Sequence, residues 1–182
     1  METTPSHSTV FGCRLGNMNA EKTLSDIYEI TLLTPQSVRY APVVQHEREL
    51  ALKALKESGC FPSLEKKHKP YNLSIALEKN ALSLKFTSVD GDLSRAFTLP
   101  LRSLKSFIKD YFLIVESYEQ AKYAGGARLE SIDMARRGIH NEAADFLRQK
   151  LSSRLEMNED TARALFTLIC VLHIGQVRGP RI

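Results

Sequence analysis

The stretch DMARRGIHNEAAD, residues 133–145, gathers two arginines, a histidine, an asparagine and three carboxylates. A guanidinium group grips carboxylate or phosphate oxygens through paired N–H donors, and an imidazole adds a donor or an acceptor. Arg136, Arg137, His140 and Asn141 are therefore the candidate ligand-binding residues, and the chemistry is anion recognition. Placed on a helix at about 100° per residue, Asp133, Arg136, Arg137 and His140 fall on one arc, with Asn141 at its edge. Ile132, Ala135, Ile139, Ala143 and Phe146 fall on the neighbouring arc and read as the core face. Glu142 and Asp145 turn toward solvent. Leu147 and Leu151 continue the polar arc, so that flank is expected to meet protein rather than open water.

Asp133 with Arg137, and Arg136 with His140, stand four residues apart, close enough to touch on a helix. Gly138 costs about 1 kcal/mol relative to Ala in a helix interior, which calls for a compensating close approach, a ligand or a kink. Two readings follow. The arc is a polar seam, its arginines satisfied by carboxylates of a neighbouring helix, or it is an anion pocket. Supporting polar partners are His46 and Glu47 at the first turn of an earlier helix, Asp110 and Glu116 on an otherwise apolar helix, and Asp133 itself. An enzymatic alternative pairs His140 with Glu116 or Glu142 as acid and base on a phosphate- or carboxylate-bearing substrate. A structural alternative seals a homo-oligomer interface with the same cluster.

Other chemistries lack their signatures. His46, His140 and His173 with Glu47 or Glu142 are enough ligands for a metal, but no HxxxH or HExxH spacing links them, so no metal site and no cofactor is assigned. No phosphate-binding glycine loop and no GxSxG elbow occurs. The net charge of +4 is mildly basic. Much of it sits in Lys66-Lys67-His68-Lys69 and in the ending from Arg178 to Arg181, without the aromatic interleaving of a nucleic-acid surface, which argues against a nucleic-acid partner. Cys13, Cys60 and Cys170 are odd in number and widely spaced, and read as thiols of a reducing, cytoplasmic compartment. The longest apolar run, Ala164 to Ile174, falls short of the ~20 residues of a membrane span, which argues against membrane insertion.

The elements that must hold these residues are legible from periodicity. Residues 1–25 show none and read as a flexible tail; 26–175 read as one α+β domain; 176–182 read as a C-terminal tail. Asp26–Thr34 is predicted as a strand, and Val43 to Gly59 as a helix stopped by its glycine. Leu73, Ile75 and Leu77, then Leu82, Leu84 and Phe86, then Phe97, Leu99 and Leu101 alternate with period two, as strands do. Turns near Lys79-Asn80 and at Asp90-Gly91 suit tight hairpins. Three helices follow: Leu101 to about Ala124, Ala127 to about Leu155 after a break at Gly125-Gly126, and a final one capped by Asn158 or Asp160 and ending near His173. That last helix is apolar nearly all round and is expected at the centre of the helical layer. The fold predicted is α+β: a small, mostly antiparallel sheet of about four strands packed against about four helices.

Four separated segments, HER (His46–Arg48), KDYFLIVESY (Lys109–Tyr118), IDMARRGIHNEAADFL (Ile132–Leu147) and TARALFTLICVLH (Thr161–His173), occur in this order. Together they resemble a small bacterial family, best known from alphaproteobacteria, that is catalogued as an uncharacterised protein family. The resemblance runs from about Asp26 to His173. It implies a bacterial cytoplasmic protein, with a longer N-terminal tail and a short ending here, and it carries no catalytic residues across. The expectation is a cytoplasmic binding or regulatory protein with an Arg/His-lined anion site.

Overall fold

The computed structural model describes residues 25–33, 40–78, 80–121 and 126–177. The two predicted tails, Pro35, Lys79 and Gly125 lie outside these, apart from Ser25 and the last two residues of the final helix. Four strands form one sheet in the order β1 (Ile27–Leu33), β2 (Tyr71–Glu78), β3 (Ala81–Ser88), β4 (Ser94–Pro100). β2, β3 and β4 make the expected antiparallel meander. Asn80 takes a positive φ of 65° at the first turn and Gly91 one of 84° at the second. β1 joins from the other side in parallel with β2, because helix α1 (Pro42–Ser58) crosses between them, as parallel strands require.

Period two explains the core. Leu73 lies opposite Phe86, Ile75 opposite Leu84, and Leu77 opposite Leu82, and all six are buried. Their polar alternates leave the other sheet face solvated, as one-sided antiparallel sheets allow. Three helices follow: α2 (Lys105–Ala121), entered through a 3₁₀ turn at Leu101–Leu104, then α3 (Gly126–Leu151) and α4 (Glu159–Val177). α3 ends a turn before the predicted Leu155, and the third meander strand stops at Pro100 rather than Leu101. Asn158 caps α4, its Oδ1 accepting the Thr161 amide at 2.9 Å, the bond an N-cap side chain makes.

α4 packs against α1, α3 and β2. Apart from Arg163 and His173, every side chain from Thr161 to Ile174 is buried, as its all-round apolar pattern requires. Among the described residues no helix is long and apolar enough to cross a membrane. Cys170 is a free, buried thiol. Cys60 is disulfide-bonded, so the expectation of three thiols fails there; an odd set of distant cysteines carries no signal of pairing.

The packing of α3 corrects its predicted orientation. The deeply buried stripe is His140, Ala143, Ala144, Leu147 and Leu151, whereas Ala135 is exposed and Ile132, Ile139 and Phe146 are only partly covered. The helix lies in a corner. One flank meets α2, with the Phe107 and Phe146 rings 5.3 Å apart, and the other meets α4. The enclosed stripe thus draws on both arcs: Ala143 from the predicted core face, with Ile139 and Phe146 packed beside it, and His140, Leu147 and Leu151 from the polar one.

Candidate functional site

Where α1, α2 and α3 meet, four charged side chains form a chain of ion pairs. Glu47 is on the inward face of α1 with Val44, Ala51 and Leu55, and is only 8% exposed. A buried carboxylate needs donors to replace water. It has two: the Tyr111 hydroxyl donates to Oε2 at 2.6 Å, and Arg136 Nη1 donates to Oε1 at 3.2 Å. Burial, then the carboxylate beside it, pushes the Tyr111 phenol well above its ordinary range, so it acts as a donor throughout the physiological range. Arg136 turns its other edge to Asp133, with Nε and Nη2 at 3.1 and 2.6 Å from Oδ1. Arg137 Nε reaches the second Asp133 oxygen at 2.8 Å. The hydrogen bonds from Arg136, followed by the two positive charges, hold the Asp133 carboxyl below the usual carboxylate range.

His140, one turn on, is enclosed between rings: Tyr111 at 5.8 Å and Phe166 at 5.5 Å, the latter edge-on. Its Nδ1 lies 3.3 Å from the Thr167 hydroxyl, which donates to the Arg163 carbonyl at 3.2 Å. A hydroxyl has one proton to give, so this arrangement is satisfied with the imidazole proton on Nδ1. Nε2 is then a bare acceptor, buried and without a hydrogen-bond partner. Burial, then the charges of Arg136 and Arg163, lowers the His140 pKa to about 4. The ring is neutral at pH 7.

The network separates two openings. On one side a small pocket of about 230 Å³ between α1, α2 and α3 is lined by His46, Glu47, Asp133 and Arg136 among apolar side chains. On the other a shallow groove of about 380 Å³ between α1, α3 and α4 is lined by Glu47, Arg136, His140, Asp160, Arg163 and Thr167, with Ser58 and apolar residues of α1. Of the residues singled out from sequence, Arg136, Arg137, His140, Asp133 and Glu47 are brought together. Asn141, Asp110 and Glu116 are exposed and take no part in the network. Glu116 lines a different cavity, together with His173. His46, His140 and His173 thus border three different openings. Among the described residues no group of three metal-ligating side chains converges. Gly138 sits in open space inside helix α3, so the expected close approach is absent.

Tyr111, Thr167 and Arg163 escaped the sequence reading. Tyr111 and Thr167 lie in apolar faces and count there as core by type. Their signal is a hydroxyl at a fully buried position, which needs a partner. Arg163 is the one Lys or Arg on helix α4 (Glu159–Val177), inside its apolar run, and that isolated basic residue is the clue.

Fold and site define an α+β protein whose helical layer carries a buried Glu–Arg–Asp–Arg network between two openings, with a neutral histidine that has a hydroxyl rather than a carboxylate as its partner. Residues 24–175 match the model of UPF0262, described as an uncharacterised protein family, and the chain belongs to that family. It is 42% identical over 137 residues to a UPF0262 protein of Brucella canis, covering 74% of this chain and 86% of that one. To a UPF0262 protein of Paramagnetospirillum magneticum it is 42% identical over 147 residues, covering 80% and 94%. No solved structure matches.

Proposed function

We propose that the chain is a non-catalytic binding protein whose groove between α1, α3 and α4 holds a small carboxylate- or phosphate-bearing ligand. The observation that carries this reading is Arg163. It lines the groove with Arg136 and His140, and among the described residues it forms no ion pair, not even with Asp160 one turn before it. Arg136, by contrast, is already held by Glu47 and Asp133. It serves as an oriented wall with donors to spare, since a guanidinium carries five N–H groups. Arg163 supplies the uncommitted charge; the Thr167 and Ser58 hydroxyls also line the groove, their protons given to the Arg163 and Ala54 carbonyls.

Binding is favoured over catalysis by the surroundings of His140. The catalytic alternative pairs His140 with Glu116 or Glu142, but among the described residues the imidazole's polar partner is the Thr167 hydroxyl, and Glu116 borders a different cavity. A ring neutral down to about pH 4 is also a poor proton shuttle at neutral pH, where an effective one titrates.

The test is a thermal-shift series with inorganic phosphate, citrate and succinate. A ligand at about 100 times its dissociation constant adds about 2.7 kcal/mol of stability, worth roughly 5–10 °C in a chain of this size. Arg163→Ala is expected to fold and to lose the shift. If no anion raises the melting temperature, or the variant keeps the full shift, the groove is not an anion site.

A further inference from the structure

A larger opening lies elsewhere, between the end of β4, the 3₁₀ turn at Leu101–Leu104, α2 and the C-terminal part of α4. Its volume is about 690 Å³, within the range of about 300–1,000 Å³ usual for small-molecule sites. It shares no lining residue with the groove of the proposed function. The floor is apolar: Leu101 and Ile108 are buried, Phe112 is half-buried, and Leu113 remains 51% exposed at the mouth. The rim is cationic. Arg102, Lys105 and Lys109 are exposed, line this cavity, and among the described residues form no ion pair.

The spacing on α2 is the informative part. Lys105, Lys109, Phe112 and Glu116 follow one another at three or four residues and so occupy one helix face. They place two cations at one end, an aromatic ring in the middle and a carboxylate at the far end. Lys105 and Lys109 are like charges four apart, an arrangement that destabilises a helix, and Arg102 adds a third charge one turn earlier. Among the described residues no carboxylate pairs with them, and the carboxylate on their own face, Glu116, is two turns beyond Lys109. His173 also borders the cavity, its Nδ1 enclosed and without a hydrogen-bond partner.

We infer that this cavity binds a free aliphatic carboxylate, its head held by Arg102, Lys105 and Lys109 and its chain laid over Ile108, Phe112 and Leu113. The cationic rim selects the negative head. The apolar floor rejects small hydrophilic anions, which have nothing to bury there, and Glu116 at the far end repels a second acidic group.

Isothermal titration of the full chain with octanoate, octan-1-ol and phosphate tests this directly. Octanoate is expected to bind saturably at one site, with octan-1-ol at least tenfold weaker and phosphate producing no heat that depends on Lys105 or Lys109. The double variant K105Q/K109Q, exposed and so expected to fold, should weaken octanoate at least tenfold and leave octan-1-ol unchanged. Leu113→Gln should weaken both. K53Q, removal of a lysine charge on α1 away from the cavity, should alter neither. Octanoate bound no more tightly than octan-1-ol, or K105Q/K109Q binding within twofold of the unmodified chain, would overturn the inference. So would preferential binding of the chain to phosphatidylglycerol vesicles over octanoate, which would place the charges on a bilayer instead.

Discussion

Glu47 accepts hydrogen bonds from Tyr111 and Arg136 and is largely buried, at 8% exposed. Removing one donor from a buried acceptor costs about 1–3 kcal/mol, so Tyr111→Phe should lower stability by roughly that amount. Arg136→Met removes the opposing charge as well and should cost about 3 kcal/mol. Urea unfolding of both variants checks the order. His140 gives a pH dependence. Its folded pKa of about 4 lies below the ordinary 6.5, so between those values the unfolded chain takes up a proton that the folded chain refuses. The contribution is fully present above about pH 6.5 and is lost as the pH falls toward 4. Over that window it amounts to about 3 kcal/mol. Urea midpoints between pH 7 and 4 should show the loss, and a His140→Gln variant should show a shallower slope.

α3 shows what periodicity conveys and what it leaves out. Spacing placed Asp133, Arg136, Arg137 and His140 on one flank, and Leu147 and Leu151 showed that this flank faces protein; both hold. The core face was only partly legible, with Ala143 buried but Ala135 exposed, because two adjacent arcs were both compatible with burial. Only the positions of α2 and α4, set by long-range packing, decide between them. The partner of Arg136 is likewise 89 residues away in sequence, and no local pattern reaches that far. Strands β2, β3 and β4 were readable because alternation on a one-sided sheet is a local property. β1 was readable as a strand, but its parallel pairing depends on where α1 crosses.

Two glycines separate local cost from contact. A Cβ at Gly138 would meet nothing within 4 Å, so Gly138→Ala should stabilise the chain by up to about 1 kcal/mol, read as a melting temperature raised by roughly 2–4 °C. At Gly59 the added Cβ would stand 2.4 Å from the Leu55 carbonyl oxygen, which is backbone and cannot swing aside. Gly59→Ala should therefore destabilise by about 1–3 kcal/mol, visible in the same melting series.

The molecule as a whole is a one-sided sheet roofed by helices, with its charged side chains divided by what they face. Asp133, Arg136, Arg137 and Glu47 satisfy one another and tie α1, α2 and α3 together through Tyr111. Arg163, on the buried helix α4, is left to the groove. The match to the UPF0262 family model, over residues 24–175, spans both groups without naming a ligand. The division is therefore the basis of the functional reading. It also explains why composition was a poor guide: a mild net positive charge says nothing about which arginine is already neutralised.

The most direct measurement is side-chain NMR of the full chain at pH 7 during titration with inorganic phosphate. The His140 imidazole should report a neutral ring with its proton on Nδ1, and His140 and Arg163 Nε should shift together and saturate. The Arg137 signal, exposed and paired with Asp133, should stay nearly still. Linear drift of all the arginines with no saturation at Arg163 would contradict the groove as a built anion site.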